Sequence, residues 1–158
     1  MNLKENTIVL RAATSGDIVC IQHCAHDAYG KYVARLGRKP APMVADFESL
    51  VAQGRVVVAC NNNQLIGFVV FYPTGDVMHL ENVAVLPAMS GQGVGKMLIA
   101  HVEEAASKQG YCAVELYTNE VMSENLHIYP SIGYREIDRR TEDGFNRVYF
   151  RKELSACS

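Results

Sequence analysis

The sequence predicts an α/β fold built on a mixed central sheet, and three observations carry that prediction. Runs with strand and helix periods follow one another as β-α-α-β-β-β-α-β-α-β-β, which is neither the pattern of a doubly wound sheet nor that of a barrel. Residues 81–118 read as a βαβ unit whose first turn is the glycine-rich "SGQGVGKML" (90–98). A right-handed crossover puts that turn at the carboxyl end of its strand, where ligands sit in open sheets. Finally, 158 residues with 49% hydrophobic and 20% charged side chains match one soluble domain, so residues 1–158 are expected to fold as a unit.

Each element has a local reason. "TIVLRAAT" is the first strand. Thr14 then caps a helix, with Asp17 at the third helical position as in a capping box. Ile18, Ile21, Ala25, Ala28 and Tyr32 continue at helical spacing until "GRKPAP" (37–42) breaks the pattern. "MVADFESLVAQG" gives a second, shorter helix ending at Gly54. "RVVVAC" and "QLIGFVVFY" are strands joined through "NNN", a hairpin signal. "TGD" turns the chain into "VMHLENVAVLP". The helix after the glycine loop, "VGKMLIAHVEEAASKQ", keeps Val94, Leu98, Val102 and Ala105 on one face and closes at Gly110. "YCAVELYT" is a strand with Cys112, Val114 and Leu116 alternating inward. A short helix in "SENLHIYPSIG" leads to "YREIDRRT", and "EDG" turns into the last strand, "FNRVYFRKEL".

Composition excludes several classes. A net charge of −2 and a pI near 6.2 supply no global field for nucleic acid or an anionic membrane. No apolar run approaches the ~18 residues of a membrane span, and "MNLKENTIVLRAATSGD" lacks a signal peptide's apolar core. Five cysteines, 20, 24, 60, 112 and 157, are dispersed and odd in number, which argues for reduced thiols in the cytoplasm. Cys20 and Cys24 are four apart, but no second Cys/His pair has zinc-finger spacing, so no metal site is expected.

The glycine loop narrows the chemistry. A phosphate-binding P-loop, G-x-x-x-x-G-K-[ST], would put Ser90 at its first glycine and Met97 at the magnesium-binding hydroxyl. A dinucleotide fingerprint, G-x-G-x-x-G, accepts Gly91 and Gly93 but meets Lys96 at its third glycine. Both motifs fail. What remains is a backbone cradle for a phosphate at a helix start, since three glycines in five residues cost entropy that a plain turn does not need.

The strand "HLENVAVLP", the loop "AMSGQGVGKML", the following helix and strand, and "NLHIYPSIGY" together resemble the GNAT superfamily of acetyl-CoA-dependent N-acetyltransferases, over about residues 8–153. The family's R/Q-x-x-G-x-G/A loop reads Ser90-Gly91-Gln92-Gly93-Val94-Gly95 here, with Ser90 in place of Arg/Gln. The resemblance implies acetyl-CoA as cosubstrate without a metal. Its pyrophosphate would lie on the N–H groups of Gly91 to Lys96, with Lys96 itself either near a phosphate or simply solvated. Backbone groups of Val83, Ala84 and Val85 would pair with pantetheine amides. Asn125 and Tyr129 match the family's N-x-x-x-Y-x-x-x-G-F/Y, in which the tyrosine serves the departing thiolate as general acid and the asparagine bonds the coenzyme arm.

Glu81 is the candidate base. Its strand face is shared with Val83 and Val85, and a carboxylate among apolar neighbours is expected to hold a proton more tightly than usual, as suits a base. The alternative is an exposed strand glutamate paired with Lys or Arg. Tyr129 likewise has the alternative of a packing aromatic. The five histidines form no triad spacing, and His79 and His101 are read as surface or packing residues. In the superfamily the first helices wall the acceptor site, so Tyr29 and Tyr32 either frame a small-molecule or peptide amine or simply pack the helix. Homodimers are frequent in the superfamily. A non-catalytic acyl-CoA-binding or interaction module is the rival function.

Overall fold

Asn62 and Asn63, the turn of the first hairpin, both take positive φ (52° and 68°), and Asp143 and Gly144 do the same in the last (53° and 78°). These are the left-handed pairs that a two-residue hairpin demands, and Asn, Asp and Gly adopt them at least cost. The computed structural model describes residues 7–154. Its strands are β1 (Ile8–Ala12), β2 (Val56–Asn61), β3 (Gln64–Thr74), β4 (Val77–Val85), β5 (Ala113–Asn119), β6 (Arg135–Glu142) and β7 (Phe145–Glu153). They form a seven-stranded, mostly antiparallel sheet in the order β1-β2-β3-β4-β5-β7-β6. The helices are α1 (Ile18–Tyr29), α2 (Tyr32–Leu36), α3 (Phe47–Ala52), α4 (Val94–Lys108) and α5 (Ser123–Ser131).

The helix expected to run from Ile18 through Tyr32 is broken after Tyr29, so three helices rather than two stand between β1 and β2. The capping box forms as the spacing predicts, with the Thr14 N–H on Asp17 Oδ2 at 2.8 Å, though it opens on a 3₁₀ turn, Ser15–Asp17, ahead of α1. Asp46 caps α3 by accepting the Ser49 N–H at 3.2 Å.

The chain forms two compact units. The first holds residues up to Phe71 together with Asn82–His101. Here β1 pairs antiparallel with β2 (Ile8 opposite Asn61) and β2 with β3 (Val56 opposite Val70). Ile21, Phe47, Val58, Ile66, Phe68 and Leu98 are buried in it, with Phe47 edge-on to Phe68 at 5.4 Å. Fully burying side chains of this kind contributes roughly 1.5–3 kcal/mol each. Gly67 is needed for close approach: a Cβ there would stand 2.8 Å from the Ala84 carbonyl oxygen.

The second unit holds Tyr72–Glu81 and the chain from Val102 onward. Met78 of β4 lies parallel to Val114 of β5, and β7 runs antiparallel to both β5 and β6. Burial alternates along β4, with Met78, Leu80, Asn82 and Ala84 buried and His79, Glu81, Val83 and Val85 half-buried, as the strand period predicts. On the inner side of β5 and β7, Leu116 and Phe150 are buried, and Phe150 meets the Tyr129 ring at 5.6 Å. Lys152 reaches Glu103 at 2.9 Å, and the Tyr134 hydroxyl donates to the same carboxylate at 2.9 Å. Burial and that carboxylate's charge push the Tyr134 phenol up.

On α4, Val94, Leu98 and Val102 are buried and Ala105 half-buried, with Ala106 buried beside it. One packing expectation shifts. Cys112 stands exposed one residue ahead of β5, and its sulfur is not a free thiol, so it is no core residue and the expectation of reduced thiols does not hold there.

Candidate active site

In the first unit, β4 runs through a 3₁₀ turn (Pro87–Met89) into the glycine loop and α4. Gly91 and Gly93 adopt φ of +79° and +83°, a region that costs an L-residue roughly 1–2 kcal/mol. Open space surrounds the position of a Cβ at either, so backbone conformation, not crowding, selects glycine there. The N–H of Ser90 bonds the Pro87 carbonyl and that of Met97 bonds the Gly93 carbonyl, whereas those of residues 91–96 bond no backbone carbonyl among the described residues. A run of donors at the positive end of a fifteen-residue helix suits a pyrophosphate. The Ser90 hydroxyl is engaged within its own turn, donating to the Pro87 carbonyl at 2.9 Å. Gln92 and Lys96 are exposed.

Tyr29 and Tyr32 are buried, their ring centroids 6.2 Å apart. The Tyr29 hydroxyl donates to the Val83 carbonyl at 2.8 Å. That bond holds α1 to the outgoing half of β4 and occupies one of the backbone groups assigned to pantetheine.

In the second unit, Glu81 sits among donors rather than apolar side chains. The Tyr72 hydroxyl donates to Glu81 Oε2 at 2.7 Å, and His79 Nε2 lies 2.8 Å from the same oxygen. The hydrogen bond from His79 holds the Glu81 carboxyl below the ordinary range; burial opposes it, and Tyr72 and the charge of Arg147 act with His79. The expectation of raised proton affinity is therefore corrected: hydrogen bonding to the charged form outweighs desolvation. Glu81 is an anion at neutral pH, with no hydrogen bond to Oε1 among the described residues.

His79 is likewise more than a packing residue. It bonds Glu81, stacks on Tyr117 at 5.9 Å and stands edge-on to Tyr72 at 5.3 Å. A signal for it was present, because a histidine and a glutamate two apart on a strand share one face. Tyr72 had no such signal, since its place depends on the β3–β4 pairing.

Tyr129 and Asn125 both lie on α5. Tyr129 is buried, its ring 5.8 Å from Tyr134 and 5.6 Å from Phe150. Asn125 Nδ2 donates to Thr118 Oγ1 on β5 at 3.2 Å, which anchors the start of the helix.

A mixed sheet whose central strand leads through a left-handed glycine turn into a long helix defines an α/β protein with an anion cradle at a helix start. The chain belongs to the GNAT acetyltransferase family: the family model described as "Acetyltransferase (GNAT) domain" matches residues 52–136. The [ribosomal protein bS18]-alanine N-acetyltransferase of Haemophilus influenzae is 34% identical over 79 residues, covering 50% of this chain and 53% of that protein. The chain thus spans about half the length of the first curated relatives it matches. Among solved structures, the ribosomal-protein-S18-alanine N-acetyltransferase of Escherichia coli aligns with a TM-score of 0.75 at 21% identity, over 94% of this chain and 95% of that one. The PaiA N-acetyltransferase of Thermoplasma acidophilum, solved in complex with coenzyme A, aligns at 0.74 and 17% identity, over 94% and 99%. At such identities these two structures speak to the fold.

Proposed function

We propose that this chain transfers an acetyl group from acetyl-CoA to a primary amine by direct attack, without a covalent enzyme intermediate. The run of N–H groups from Gly91 to Lys96 that bond no backbone carbonyl among the described residues carries the reading, because it suits the pyrophosphate of coenzyme A. The bound thioester supplies an activated acetyl group. In this reading Glu81 Oε1 receives a proton from the incoming ammonium, whose ordinary pKa near 10.4 keeps it unreactive at neutral pH. The freed nitrogen attacks the carbonyl carbon, the C–S bond breaks, the Tyr129 hydroxyl protonates the leaving thiolate, and the second proton shed by the nitrogen as the amide forms restores the Tyr129 hydroxyl. The net products are an N-acetyl amine, coenzyme A thiol and one proton.

Because Glu81 is a weak base, its contribution rests on holding the ammonium and relaying the proton to solvent. We take Tyr29 as a brace for β4 and Tyr32 as its packing partner, and read the chain as one acetyltransferase domain, since the family match runs through both units. Cytoplasmic placement stays part of this reading, supported by the free thiols of Cys20, Cys24 and Cys60 and opposed by the bonded Cys112. From the names of the relatives we carry over only an amine acceptor.

Glu81→Gln and Tyr129→Phe test the roles. Each is expected to retain coenzyme A binding while kcat falls by about 10²-fold or more. Tight binding with no turnover in the parent protein would point instead to an acyl-CoA-binding module.

A further inference from the structure

In the second unit the half-buried face of β4, β5 and β7 is polar and aromatic, and the helices of that unit lie on the other side. There Phe150 meets Tyr129, and Lys152 reaches Glu103 and the Ile132 carbonyl. On the opposite face, Tyr117 of β5 is stacked on His79 at 5.9 Å, while the Arg147 guanidinium of β7 lies 4.4 Å from its ring centroid.

Arg147 meets its carboxylates only at long range. Its side chain is only 15% exposed, yet the nearest carboxylates are Glu142 at 3.5 Å and Asp143 at 4.0 Å. Those distances attract without making good N–H···O bonds. Glu142 already accepts the Tyr149 hydroxyl. Asp143 is 86% exposed, so water screens it. Its neighbours differ: Arg139 bonds Glu136 at 2.9 and 3.0 Å, and Arg140 bonds Asp138 at 2.7 Å. A largely buried guanidinium held over a ring, with only long contacts to carboxylates, is suited to a planar two-oxygen anion. It lines a cavity of about 150 Å³ together with Arg139, Arg140 and Glu120. The carboxylates nearby disfavour a doubly charged phosphate, whereas a single carboxylate is tolerable.

The same face carries Glu81, whose Oε1 accepts no hydrogen bond among the described residues. Glu81 and Arg147 stand on strands either side of β5, about 10 Å apart across the sheet by strand spacing, and Arg147 leans over Tyr117 toward β5. We infer that the acceptor is an amine that itself carries a carboxylate a few bonds away, its ammonium at Glu81 Oε1 and its carboxylate on the Arg147 fork across the Tyr117 ring. The inference rests on Glu81 being the base of the proposed acetyl transfer.

The test compares L-alanine, β-alanine and γ-aminobutyrate with their amides, and the dipeptide Ala-Asp with Ala-Asn, in the parent protein, Arg147→Gln and Arg147→Lys. Coenzyme A thiol release and calorimetric binding of each amine to the coenzyme-loaded protein are both read. The parent is expected to favour at least one carboxylate-bearing amine over its amide by about 10- to 100-fold in kcat/KM. Arg147→Gln brings that ratio toward one through KM, and Arg147→Lys, which keeps charge and stem, falls between. The free amino acids and the dipeptides separate a small-molecule acceptor from a peptide.

Turnover without carboxylate preference, or a preference surviving in Arg147→Gln, overturns the inference and leaves acetyl transfer standing. Arg147-dependent binding of the amino acids with no thiol release upholds the carboxylate site and removes the transferase reading. Absence of both binding and release overturns both.

Discussion

Tyr72→Phe removes one hydroxyl and leaves the ring that stands edge-on to His79 in place. Its hydrogen bond to Glu81 Oε2 is 2.7 Å long, and the Glu81 side chain is 30% exposed. Hydrogen bonds to charged groups are worth about 1.5–3 kcal/mol; partial exposure puts this one near the low end, about 1–2 kcal/mol. For a chain of this size that corresponds to roughly 2–8 °C in Tm. The sign with pH follows from linkage. Glu81 titrates below its ordinary value of 4.5, so its contribution is present above that value and lost as pH falls through the lower folded value. The stability gap between parent and Tyr72→Phe is therefore full at about pH 7 and narrows as pH falls below 4.5 through the lower folded value. In activity, the acid limb of kcat/KM moves toward neutral pH, because the variant carboxylate is protonated more readily. Denaturant titrations across that range, with the pH–rate profile beside them, measure both effects. A gap that stays constant into acid, or an unmoved acid limb, would refute the account of how Glu81 is held.

Other outcomes follow from the same geometry. Gly93→Ala puts an L-residue at φ +83° with open space around its Cβ; if the loop keeps its shape the strain is about 1–2 kcal/mol. Coenzyme A affinity is expected to fall about 5- to 30-fold if the loop relaxes to escape that strain, read by calorimetry. His79→Phe preserves the stack on Tyr117 but removes the bond that most lowers Glu81, so its acid limb shifts further than that of Tyr72→Phe. Asn125→Leu loses the anchor to Thr118, and α5 is expected to exchange amide hydrogens faster while the sheet is unchanged.

The parts legible in the sequence are those with local causes. Left-handed turns announce themselves as Asn-Asn and Asp-Gly, the glycine loop as three residues without side chains, and the alternation of β4 as a period of two. Strand parity alone put Glu81 on the half-buried face with Val83 and Val85. What could not be read depends on register. Tyr72 is nine residues from Glu81 and meets it through the neighbouring strand, so the sequence suggested an apolar environment and the wrong direction of proton affinity. Arg147 comes to Tyr117 only because Asn119 lies opposite Arg147 when β5 pairs with β7. The break at Gly30 was hidden because the apolar spacing continues to Tyr32 across it.

Coenzyme A thiol release from acetyl-CoA, followed across small amines, amino acids, polyamines, aminoglycosides and peptides with Glu81→Gln and Tyr129→Phe as controls, bears on acetyl transfer itself. The account predicts release confined to one class of amine, the carboxylate-bearing one, and suppressed in both variants. Release at the same rate in Glu81→Gln as in the parent, or none with any amine despite tight acetyl-CoA binding, would contradict it.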